Sequence, residues 1–94
     1  MQKAHLDLIK YALDEGCTIS VDGGGDELDL IDGDQYQQIK DDVEACDSTV
    51  MIIYKKDRRV GWANVELEYE QLASETICDY SASPFMNAWA DQYY

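Results

Sequence analysis

Residues 50 to 67 read VMIIYKKDRRVGWANVEL, and this stretch decides the fold. Val50-Met51-Ile52-Ile53-Tyr54 is apolar at every position. In a strand, side chains alternate between faces, so the run presents apolar groups on both sides and reads as a central strand. Lys55-Lys56-Asp57-Arg58-Arg59 supplies a polar turn, and Val60 to Leu67 returns as a second strand. A connection this short joins antiparallel neighbours, since parallel strands need a crossover of a dozen residues or more.

Upstream of this hairpin, Tyr36, Ile39, Val43 and Cys46 keep the spacing of one helical face, with Asp32 or Asp34 placed to cap it. Before it, Cys17, Ile19 and Val21 alternate with Thr18 and Ser20. After Gly23-Gly24-Gly25, Leu28 and Leu30 alternate with Glu27, Asp29 and Ile31. Two alternating runs around a glycine-rich turn predict another hairpin. Leu6, Ile9 and Leu13, with Ala12 beside them, form a helical stripe from about Gln2 to Glu15, and Gly16 stops that helix. Downstream, Pro84-Phe85-Met86-Asn87-Ala88-Trp89 predicts a final short helix with proline in its first turn.

The order α-β-β-α-β-β-α specifies a single α+β domain over residues 1–94, with a four-stranded, mainly antiparallel sheet and helices packed on one face. The expected core comprises Leu6, Ile9, Leu13, Ile19, Val21, Ile39, Val43, Ile52, Tyr54, Trp62 and Val65. The 94 residues suffice for one small core, and a 46% hydrophobic content with ten aromatics separates the chain from disordered acidic tails. Cys17, Cys46 and Cys78 are odd in number and lack CxxC spacing, so they read as small core residues in a reducing compartment. The opening MQKAHLDLIK lacks the apolar run of a signal peptide, and no segment approaches a membrane span. A soluble, cytoplasmic protein is expected.

Charge is the strongest functional signal. Seven Lys and Arg oppose twenty Asp and Glu, for a net −13. From Asp14 to Asp47 twelve acids face the single base Lys40, whereas Lys55, Lys56, Arg58 and Arg59 crowd one turn. Direct binding to nucleic acid or anionic lipid is disfavoured, because both need clustered cations. A basic partner is favoured by long-range steering.

The stretch SVDGGGDELDLIDGDQ, residues 20 to 35, carries the densest acid. An EF-hand loop begun at Asp22 would need Gly at its sixth position and Glu at its twelfth, where the chain has Glu27 and Gly33. Weak calcium binding by Asp22, Asp26 and Asp32 is the residual metal reading; no metal or cofactor site is expected. A phosphate cradle is opposed by Asp22 and Asp26 beside the glycines. His5, the only histidine, reads as a surface residue with no nucleophile motif near it, so no catalytic residues are expected.

Alternate strand residues lie ~6.6 Å apart on one face. Asp26, Glu27, Asp29, Asp34, Asp41, Asp42 and Glu44 therefore read as a row of carboxylates, similar in charge and spacing to a phosphate backbone. Such a row would face Arg or Lys in a cleft built for nucleic acid. Tyr69, Tyr80, Phe85, Trp89, Tyr93 and Tyr94 crowd the last third. Phe85 and Trp89 fit a core role, and Tyr93 and Tyr94 a second contact surface.

The segments HLDLIKYALDEGCTISV, GWANVEL and DYSASPFMNAWADQYY resemble small proteins of tailed bacteriophages, in which an opening helix, a glycine, a strand and a late aromatic segment follow one another. The resemblance covers most of the chain and implies a phage origin; it carries no catalytic residues. In composition the chain is also similar to phage DNA-mimicking anti-restriction and anti-CRISPR proteins. The expectation is a non-enzymatic inhibitor that binds a basic, nucleic-acid-handling host protein in the host cytoplasm. The alternative is a phage structural or assembly protein, homo-oligomeric through its Tyr-rich C-terminal segment.

Overall fold

A computed structural model of the chain describes residues 3–22, 36–45, 48–67 and 72–94. Three helices, α1 (Ala4–Asp14), α2 (Tyr36–Glu44) and α3 (Pro84–Tyr93), accompany four strands, β1 (Thr18–Asp22), β2 (Ser48–Lys55), β3 (Arg58–Glu66) and β4 (Ile77–Tyr80). The strands form one sheet in the order β1-β2-β3-β4, antiparallel at every pairing.

The 50–67 hairpin is the centre of that sheet. Its turn is tighter than the five charged residues imply: Lys55 pairs with Arg58, so only Lys56 and Asp57 form the loop. Both have positive φ, 52° and 64°, the backbone of the two-residue hairpin turn whose twist matches its strands. The predicted strand around Leu28 and Leu30, like the caps at Asp32 and Asp34 and the core residue Cys46, lies outside the described residues. The fourth described strand, β4, comes instead from the tail. Its four residues follow no alternation, because the register with β3 shifts between Asn64 and Val65.

Helix α1 stops where expected, and the stop is a hydrogen-bonded motif. Gly16 has φ 78°, its N–H donates to Leu13 O, and Cys17 N–H donates to Ala12 O, both at 3.0 Å. This is the Schellman arrangement, with buried Cys17 over buried Ala12 as its apolar contact. Helix α3 begins at Pro84 as predicted. Serines tie it to the sheet: Ser83 Oγ donates to Val60 O at 2.8 Å, and Trp62 N–H donates to Ser81 Oγ at 3.1 Å. The contact is close because position 61 is glycine. A Cβ there would stand 2.9 Å from Met86 Sδ.

The core lies between the helices and one face of the sheet. Ile9, Ile19, Val21, Ile39, Val43 and Val65 are buried as expected, with Trp89 added from α3. Two parts of the expected core need correction. On α1 the buried stripe is Ala4, Leu8, Ile9 and Ala12, and Leu6 and Leu13 lie at its border, half-buried. The small Ala4 and Ala12 let the helix approach, which turns the bulkier Leu6 and Leu13 aside. On the sheet, Met51, Ile53, Ala63 and Val65 face inward, so Ile52, Tyr54 and Trp62 point to the opposite face and are half-buried. A strand apolar at both parities does not reveal which parity is inside. Pairing with Ile19 and Val21 of β1 decides it.

Candidate functional site

Four of the seven carboxylates expected to form the acidic row, Asp26, Glu27, Asp29 and Asp34, lie outside the described residues, as does the Asp22, Asp26 and Asp32 calcium reading. The other three are on α2. Ile39 and Val43 anchor that helix in the core, which turns Asp41 and Glu44 outward on one side, three residues apart. Asp41 is exposed and accepts a hydrogen bond from Gln37 Nε2 at 2.9 Å. Asp42 is half-buried and points away from that pair.

Glu44 does more than present charge. Its Oε2 lies 2.8 Å from His5 Nε2, and its Oε1 lies 3.9 Å from Lys40 Nζ. His5 is fully buried, contrary to its expected surface position. Its backbone N–H donates to Thr76 Oγ1 at 3.1 Å, so the residue ties α1 both to α2 and to the segment before β4. Burial holds the imidazole pKa below its ordinary 6.5, outweighing the hydrogen bond and charge of Glu44; Lys3 and Lys40 add to the lowering. The neutral ring then donates Nε2–H to Glu44, and Nδ1 is a buried acceptor with no partner among the described residues. A sequence signal existed: Ala4, His5, Leu8 and Ala12 keep helical spacing, with His5 inside the apolar face.

All three acids of α2 fall in its C-terminal half, and Asp14 and Glu15 close α1; neither helix has a base in its last turn. The C-terminal end of a helix carries partial negative charge, so these acids sit where folding disfavours them. The four cations at the hairpin tip, Lys55, Lys56, Arg58 and Arg59, are all exposed. Asp14 and Glu15 lie at the same end of the sheet as these cations, since Thr18 pairs with Tyr54 and both Lys55 and Glu15 act on the Cys17 thiol.

The C-terminal aromatics form one cluster. Trp89 is buried, donates Nε1–H to Asp7 Oδ2 at 2.9 Å, and meets Tyr80 edge-on. Tyr93 stacks on Trp89 with centroids 5.5 Å apart, and Tyr94 sets its edge against both rings. Phe85 packs on the core beside Tyr11, as its expected role required. Tyr94 remains 60% exposed. Cys17 is buried and its thiol pKa is raised by that burial, in keeping with an inert core residue. Cys78, expected in the core, is exposed on β4, where the register shift turns it outward.

Among the described residues no three His, Cys, Asp or Glu side chains gather as a metal site would require, and no helix is long and apolar enough to cross a membrane. No protein-family model, curated protein or solved structure matches the chain.

Proposed function

We propose that the chain is a non-enzymatic inhibitor of phage type that binds a nucleic-acid-handling host protein through its acidic surface. Its setting would be the host cytoplasm, and its targets a restriction or CRISPR effector, a nuclease or an RNA polymerase. The observation that carries the reading is the placement of acid. Asp14, Glu15, Asp41, Asp42 and Glu44 occupy helix ends that repel them, and only Glu44 gains a buried partner in return. Carboxylates kept against the interest of folding are expected where binding needs them. In the complex they stand in for phosphates, opposite Arg and Lys of the cleft. The assembly alternative has less support, because Tyr93 and Tyr94 both set their rings against Trp89 of their own chain.

The test is capture from host lysate with identification of the captured protein. The reading expects a DNA- or RNA-binding protein, released as salt rises, and lost when Asp26, Asp29 and Asp41 are replaced by lysine. Deleting Tyr93 and Tyr94 should leave capture intact. Capture that survives the charge reversals and fails on the tail deletion would overturn the reading in favour of the aromatic interface.

A further inference from the structure

The helices and the core occupy one face of the sheet. The other face of an antiparallel sheet is ordinarily solvated and polar, and β1 follows that rule with Thr18 and Ser20. The central strands break it. Val50, Ile52 and Tyr54 of β2 and Trp62 of β3 project on the outer face, half-buried, and among the described residues belong neither to the core nor to the apolar residues packed on it. Ile52 and Trp62 are directly paired in the register, at the middle of this face. One end of the same hairpin carries exposed Lys55, Lys56, Arg58 and Arg59. Toward the other end lie Glu66 on β3 and exposed Asp79, which pairs with Asn64.

We propose that this face binds a second copy of the chain, as a two-fold dimer whose axis lies in the sheet plane, perpendicular to the strands. The distribution of charge selects that occupant. Such an axis reverses strand direction, so the cationic tip of one copy lies over Glu66 and Asp79 of the other, twice per dimer. It also places Ile52 and Trp62 against their own counterparts at the axis and Val50 against Tyr54. Sheets packed in this way stand ~10 Å apart at about −30°. A two-fold along the strands would instead stack cation on cation.

The net −13 does not forbid this pairing. The acid-bearing helices lie on the other side of each sheet, and physiological salt screens exposed charges over ~8 Å. The dimer leaves both acidic surfaces outward. A four-strand face of β2 length covers about 500 Å² by strand spacing and rise, below the ~800 Å² per partner of a standard interface. The association is therefore weak and reversible.

Sedimentation equilibrium up to ~0.5 mM, a range suited to so small an interface, tests this. The mass should rise from monomer to dimer with concentration, and tryptophan emission should shift to the blue as Trp62 becomes covered. Trp62→Ala and Ile52→Lys, at positions outside the core, should each give a monomer. Arg58→Glu/Arg59→Glu and Glu66→Arg/Asp79→Arg should each be monomeric alone, yet dimerise when mixed, because the two changes restore opposite charge across both ends. A wild-type chain that stays monomeric throughout would overturn the proposal. A dimer indifferent to Trp62→Ala and lost on deleting Tyr93 and Tyr94 would also overturn it. So would a monomer whose Trp62 is quenched by single-stranded oligonucleotide, which would make the face a base-stacking platform.

Discussion

His5 shows how one side chain links the chemistry of the chain to its fold. Its pKa is depressed in the folded protein, so below about 6.5 the unfolded chain binds the proton more readily, and stability falls as pH falls. Thermal melts at pH 7.5 and pH 5.5 should therefore differ, and His5→Gln should narrow the difference while Glu44 stays with Lys40. An equal difference in both proteins would assign the pH response to other groups. Backbone conformation gives a second pair of outcomes. Nothing lies within 4 Å of a Cβ built on Gly16, so Gly16→Ala costs only left-handed strain, about 1 kcal/mol. Lys56→Asn/Asp57→Gly moves the other way, since residues suited to positive φ replace two that are strained there; a gain of about 1 kcal/mol is expected, or roughly 4–8 °C in melting temperature.

At the scale of elements, legibility followed the strength of the local signal. Gly16 and Pro84 mark their helix ends without tertiary help, and α1, α3 and the 50–67 hairpin stand where the sequence placed them. Strand β4 was not legible, because four residues with two exposed neighbours in the middle carry no period. The inward face of β2 was not legible either, since both its parities are apolar and only pairing with β1 chooses between them. Within the candidate site, the acids of α2 were readable as an outward face, but the capture of Glu44 by His5 was not; that contact joins residues 39 apart. The helix ends make a prediction of their own. Asp14→Lys and Glu15→Lys should each stabilise the chain by ~0.5 kcal/mol in denaturant melts, by relieving the repulsion between acid and helix terminus. Destabilisation by either would mean that these acids hold something in place.

The whole molecule is a strongly acidic object, with acids ending α1 and α2 and four cations crowding the hairpin tip around Asp57. Repulsion among exposed carboxylates weakens as the Debye length shrinks from ~10 Å at 0.1 M salt to ~3 Å at 1 M. Melting temperature should accordingly rise with sodium chloride, and a flat response would show that the acids do not burden the fold. A fold strained by charge and released by salt, whose binding is weakened by the same salt, is the signature expected of a phosphate surrogate. The decisive measurement is a displacement titration on the captured nucleic-acid-binding protein, with a fluorescent duplex as the displaced ligand. The wild-type chain should release the duplex, and Asp41→Asn/Asp42→Asn together with Asp26→Asn/Asp29→Asn should raise the concentration needed at least tenfold while leaving the fold intact. Displacement at the wild-type concentration by the neutralised chain would contradict the account.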